Sequence, residues 1–217
     1  MKKPFILAAA ALFAVAAAPA HAVRCAPAGT VNVFNVKGGY VFMVSKNYGD
    51  GAFMIPGAVF RKDPGAPSGS TQFSVDDVHY QYLTVPKAKF AGSVTTDDAT
   101  ILARHAQQEH KFAVGAGSPF TSFQDLGNRP KPAAKGSPAF VFKLWTLKDP
   151  KKPQGASQYM LSTVVGDEVA LLSAIVPSPA HEKRTMAVLD RFAASYQLLQ
   201  SPADCPPSKP AAGPKAG

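Results

Sequence analysis

The run Gln158-Tyr159-Met160-Leu161-Ser162-Thr163-Val164-Val165, then Gly166-Asp167, then Glu168-Val169-Ala170-Leu171-Leu172-Ser173-Ala174-Ile175-Val176 decides the fold. Two β-rich segments of similar length flank a two-residue, glycine-containing turn, which is the pattern of an antiparallel hairpin. Directly after it, Ser178-Pro179 supplies a helix cap and then proline at the first helical position. Met186, Leu189, Phe192, Tyr196 and Leu199 recur at spacings of three and four, so this last helix carries one apolar stripe that must lie on a sheet.

Working outward, Ala139 to Leu147 reads as an aromatic strand and Asp149 to Gly155 as a Pro/Lys turn. Near the start, Thr30 to Val36 and Gly39 to Ser45 form a second hairpin around Lys37-Gly38-Gly39. Phe53 to Phe60 is a third strand there, pushed toward an edge or a break by Pro56, and Arg61 to Ser70 is a loop by its prolines and glycines. Val78 to Val85 alternates cleanly as a strand. Thr95 to Phe112 is a helix: Thr95 and Asp98 make a capping-box-like pair, and Ala99, Leu102, Ala106 and Ala113 fall along a face. Gly115 to Pro138 is too long and too rich in Gly, Ser and Pro for an ordinary connector, so it is expected to be a binding loop or a flexible excursion. The sum is an α+β domain, an antiparallel β-sheet packed by an internal helix and a C-terminal helix.

That order of elements, with the segment Tyr159 to Asp167, the strand Val169 to Val176 and a helix ending Phe192-Ala193-Ala194-Ser195-Tyr196, resembles the PsbP-like family of α/β/α sandwiches. The likeness is closest over the last third of the chain. It implies a small exported accessory or binding domain; that family has no shared catalytic set, so no functional residue carries over.

The first 22 residues read as a secretory leader: Lys2 and Lys3, an apolar run from Phe5 to Ala18, and Ala20-His21-Ala22 before the cut. The run is too short and too alanine-rich for a membrane span. Arg24, directly before Cys25, is unsuited to lipid attachment. Residues 23–205 are then one domain, and the Pro/Lys/Ala/Gly tail 206–217 is expected to be disordered. Losing Lys2 and Lys3 lowers the formal charge from +9 to +7, still basic. The basic residues are scattered through loops, which together with export argues against nucleic acid and leaves an anionic envelope component as a possible partner. Cys25 and Cys205 are the two cysteines, which in an oxidising compartment read as one disulfide, free or intermolecular thiols being the alternative.

Four polar residues invite a chemical reading. His105 and Glu109, four apart on the first helix, have the spacing of a metal pair, an acid/base couple or a plain ion pair. Asp77 and His79, in Asp76-Asp77-Val78-His79, would suit proton transfer or a cation, or simply a turn entering a strand. Neither pair completes a metal site, and no cofactor fingerprint is present. Phe120, Phe123 and Arg129, in the long segment, are the better recognition candidates. The aromatics Tyr40, Tyr48, Phe53, Phe60 and Trp145 suit a core more than a ligand platform.

The expectation is therefore an exported, soluble, non-catalytic protein of a bacterial periplasm or its surroundings, binding an envelope protein or an anionic envelope component without cofactor or metal. One alternative is a small periplasmic hydrolase or metal-dependent enzyme using Asp77/His79 or His105/Glu109. A second is a periplasmic inhibitor or immunity protein with a protruding, ordered loop.

Overall fold

The computed structural model describes residues 25–46, 49–57, 60–62, 70–92, 96–132, 139–199 and 205. The leader, the C-terminal tail, Thr95 and Tyr48 lie outside these residues, as does the side chain of Phe60. Eleven strands make two antiparallel sheets among the described residues. The smaller contains β1 (Val31–Val36), β2 (Gly39–Lys46), β3 (Gly49–Pro56) and the two-residue β11 (Gln197–Leu198), in the order β1-β2-β3-β11. The larger contains β4 (Phe60–Lys62), β5 (Ser70–Val75), β6 (Val78–Pro86), β7 (Ser122–Lys131), β8 (Phe140–Lys148), β9 (Ser157–Val165) and β10 (Glu168–Val176). Its order is β4-β5-β6-β10-β9-β8-β7.

The decisive hairpin forms as its alternation dictates. β9 pairs β10 from Val165↔Glu168 to Ser157↔Val176, and Gly166 takes the positive φ of 58° that the tight turn needs. Both strands are central, so both faces are buried. Leu161 and Leu172 point into one core, Met160 and Leu171 into the other, which is why the run is almost continuously apolar.

α1 (Asp98–Gly115) covers one face of the large sheet through Ile101, Leu102 and Ala106, packed on Val164, Val169, Trp145 and Leu171. Its N-cap is Asp97, whose carboxylate accepts the Thr100 N–H at 2.9 Å; the Thr100 hydroxyl, and then that backbone bond, hold the carboxyl below its ordinary range. α2 (Glu182–Ser195) shares the opposite face with the small sheet. Phe192 and Leu189 meet Phe42 and Phe53 from the small sheet and Phe142 and Leu172 from the large one in a single core. Pro179 opens a short 3₁₀ turn before α2, and the Ser178 hydroxyl contacts His181 Nδ1 at 3.0 Å instead of capping a backbone N–H.

Three expectations need correction. The long segment after α1 contains a ten-residue strand: β7 pairs β8 from Ser122↔Lys148 to Lys131↔Phe140. Gly127, at φ 85°, lies within the register shift between Asp125 and Asn128, and Pro130 is tolerated because β7 is a sheet edge. A second strand, β5, was concealed by the Pro/Gly-rich stretch before it. β5 and β6 are joined by Asp76 and Asp77, both at positive φ (48° and 72°), the conformation of a two-residue hairpin turn. Finally, the third strand ends at Pro56, and the strands near the start form a sheet of their own.

Cys25 and Cys205 are joined by a disulfide across 180 residues, with Cα atoms 5.6 Å apart. Both chain ends are also fastened to β3. The buried Asp50 accepts the Cys25 N–H on its carboxylate and the Leu199 N–H on its carbonyl, the latter at 2.8 Å.

Candidate functional site

The four polar residues do not converge. Asp77 is exposed in the β5–β6 turn, where Asp76 is ion-paired with Arg184 of α2. A cavity of about 280 Å³ there is lined by Arg61, Ser74, Asp76, Asp77 and Arg184. His79 stands partly exposed on β6, opposite Ile175 and Ser74. His105 lies over β9, beside Ser162, whose row in the sheet continues through Leu171 to Leu83. His79 is four residues along β6 from that row, about 13 Å by strand rise, and two strands across, about 10 Å more.

His105 and Glu109 are therefore a separate matter. The imidazole has no solvent exposure: Ser162 Oγ is 3.4 Å from Nδ1, the Glu109 carboxylate is 3.7 Å from Nε2, and the rings of Phe90 and Trp145 meet it edge-on at 5.0 and 5.5 Å. A Ser-His-Glu trio has the composition of a nucleophilic triad. Here Ser162 and His105 are both sealed between helix and sheet, so no substrate carbonyl can approach the hydroxyl. Burial holds the imidazole down at about 4, so it is neutral near pH 7, and burial also pushes the Glu109 carboxyl above its ordinary range.

This geometry has a pH signature. In the unfolded chain the imidazole titrates near 6.5, so the folded value is depressed. Its contribution is complete above about pH 6.5 and is lost as pH falls toward 4, amounting to about 3 kcal/mol. Glu109, raised, acts in the opposite sense and is partly solvated, so His105 prevails. Denaturant unfolding between pH 7 and 4 should show a shallower loss of stability for His105→Leu than for the natural chain. Equal slopes would show that the imidazole is not sealed from protons.

The third group proves to be anchored. Phe120 and Phe123 pack against the Trp145 cluster, Phe123 also stacks on His110 at 5.3 Å, and His110 Nε2–H donates to the Thr121 carbonyl at 2.8 Å. Phe120 and Phe123 are thus held against the sheet and its covering helix. Arg129 differs. Its guanidinium donates to the Leu126 carbonyl at 3.1 Å across the bulge and reaches toward Asp190 of α2 at 3.9 Å. It opens onto a groove of about 450 Å³ between β7 and α2, lined by Pro130, Lys131, Pro132, Asp190, Ala193 and Ala194. Lys131 donates to the Tyr196 carbonyl and lies 6.0 Å from the Phe140 ring; partial burial lowers its ammonium's pKa.

The groove was only half visible in the sequence. Arg129 stands out in the sequence, whereas Asp190, Ala193 and Ala194 do not, because they flank the apolar stripe of α2. The signal was the pair of small residues one turn after an acid, where a helix leaves room beside it.

Among the described residues no group of three or more His, Cys, Asp or Glu side chains could hold a metal ion, and no helix is long and apolar enough to cross a membrane. No protein-family model matches the chain, and no curated protein matches it. Solved structures do. The Ran-binding protein Mog1p of Saccharomyces cerevisiae is 10% identical, with 78% of this chain and 96% of that chain covered and a TM-score of 0.45. Cyanobacterial PsbP from Synechocystis is also 10% identical, with 84% of this chain and 100% of that chain covered and a TM-score of 0.46. A cyanobacterial PsbP is thus among the solved structures to which the chain is similar.

Proposed function

We propose that this chain is an exported, non-catalytic binding protein of the bacterial envelope that holds a partner protein in the groove between β7 and α2. The groove carries this reading: it combines an apolar floor at Pro130, Ala193 and Ala194 with charged groups at Arg129, Lys131 and Asp190, on the edge of the large sheet. Such a mixture of apolar contact and a few fixed polar groups suits recognition. A disulfide joining the two ends is compatible with export into an oxidising compartment, as the leader-like start also suggests. Deleting the whole segment would remove a sheet edge, so point changes are the appropriate probe.

Ala194, exposed on α2, is the place to fill the groove. Ala194→Trp should leave the unfolding midpoint within about 0.5 kcal/mol of the natural value, as exposed positions usually do. It should reduce the recovery of co-purifying envelope protein about tenfold, a loss of about 1.4 kcal/mol. A photo-crosslinker at Ala194 should label that same partner, and one at Lys89 should not. Unchanged recovery together with equal labelling from both positions would remove the groove as the recognition surface.

A further inference from the structure

The turns β5–β6 and β8–β9, the entry to α2 and the exit from α1 all come to one end of the large sheet. This follows from its register, in which Ser122, Lys148, Ser157 and Val176 share one row and Phe123, Leu147, Gln158, Ile175 and His79 the next. The β1–β2 turn joins them, since a cavity is bounded by Val36 and Gly38 together with Asp76 and Arg184. The exposed large hydrophobic residues of the described chain are Val36, Phe112, Val114 and Ile175, and all four stand at this end.

Phe112 is the telling one. It follows His105 by seven residues and so continues the buried stripe of α1 to within about 20°. It is nevertheless 69% exposed, and Val114, two residues on, is 51% exposed. Around these tips stand the exposed lysines Lys37, Lys111, Lys151, Lys152 and Lys183, none of them ion-paired to another described residue. Of the acids at this end, Asp76 and Glu182 are ion-paired with Arg184 and Lys148, whereas Asp77 and Asp149 have no ion pair to another described residue, so five unpaired lysines stand against two unpaired carboxylates. The result is an end ringed by unpaired lysines, with isolated apolar tips.

We infer that this end docks onto an anionic phospholipid surface, the lysines meeting headgroup phosphates and Phe112 and Val114 entering the interface. A deformable, negatively charged plane is the occupant that such a surface fits. The apolar tips are separate and exposed, as an interfacial layer accepts, and the unpaired charge over several turns far apart in sequence is predominantly positive. This surface lies apart from the β7–α2 groove, so it would hold the protein at a membrane while the groove stays open to a partner.

Sedimentation with vesicles tests this directly, using the chain from Val23 onward with phosphatidylglycerol mixed into phosphatidylcholine, and phosphatidylcholine alone as the neutral arm. Binding is expected only to the anionic vesicles, weakening as salt is raised. Lys151→Gln with Lys152→Gln should lower the partition coefficient about 25-fold, at roughly fivefold per lysine. Phe112→Ser should lower it about tenfold without moving the unfolding midpoint. Lys89→Gln with Arg191→Gln removes the same charge elsewhere and should cost less than about threefold. Ala194→Trp should bind vesicles as the natural chain does, which separates this surface from the groove. The inference is overturned if the chain binds neither vesicle, if the Lys89/Arg191 variant loses as much as the Lys151/Lys152 variant, or if Phe112→Ser binds normally.

Discussion

Reduction of the Cys25–Cys205 disulfide should lower the unfolding free energy by about 2–5 kcal/mol while leaving the fold in place. The size follows from the unfolded chain. Closing a loop of 180 residues removes conformational freedom worth about 5 kcal/mol in the chain-entropy estimate, an upper value because denatured chains are already compact. The native side of the balance changes little, since both ends stay fastened to β3. Asp50 holds the Cys25 N–H and the Leu199 N–H, Leu199 packs with Met43 and Ala52, and Gln197 and Leu198 pair with β3. Cys25→Ala with Cys205→Ala should therefore unfold as a native-like protein with its thermal midpoint lower by about 5–15 °C. Urea titration of the natural chain with and without reductant, beside the double variant, measures this. Coincident midpoints in all three would show that the bond constrains nothing that the unfolded chain would otherwise explore.

The sequence was most legible where one periodicity ruled. The β9–β10 hairpin, the first helix and the part of the last helix's stripe at Met186, Leu189 and Phe192 are readable, because burial on two faces or on one stripe leaves a strong mark. α2 ends at Ser195, so Tyr196 caps it and Leu199 lies past β11 against the small sheet instead of on the helix. β7 is not readable. Its Gly127 and Pro130 are breakers in a central strand, but at an edge the unpaired side tolerates both, and edge position is set by the whole sheet. The separation of β1, β2 and β3 into their own sheet was likewise hidden, since local alternation does not say which strands will be neighbours. For the candidate residues the limit was depth. The spacing of His105 and Glu109 placed them correctly on one helical face, yet it could not tell that this face was the sealed one. Ser162, alternating among valines and leucines, gave no sign that it would meet an imidazole.

Phe192→Ala should be the most damaging single substitution in the core, costing about 3–5 kcal/mol. Its ring, 1% exposed, sits where three layers meet: 4.6 Å from Phe53 of the small sheet, 6.0 Å from Phe142 of the large sheet and 5.5 Å from Tyr196 at the end of its own helix. Removing it takes away buried area and leaves a hole that none of these partners can fill alone, because Phe53 is itself stacked between Phe42 and Tyr196. Leu189→Ala, one turn earlier and also fully buried, should cost about 2–5 kcal/mol, with less effect across the two sheets. The position of the damage distinguishes a cavity from general loosening. α2 is tied to β3 by the Met54 N–H donating to Ser195 Oγ at 2.9 Å, so hydrogen exchange in Phe192→Ala should rise first in β3 and β11. The amides of α1, which packs on the far face of the large sheet, should stay protected until global unfolding. An unchanged urea midpoint, or protection lost equally from α1 and β3, would mean that the small sheet and α2 do not share one core through this ring.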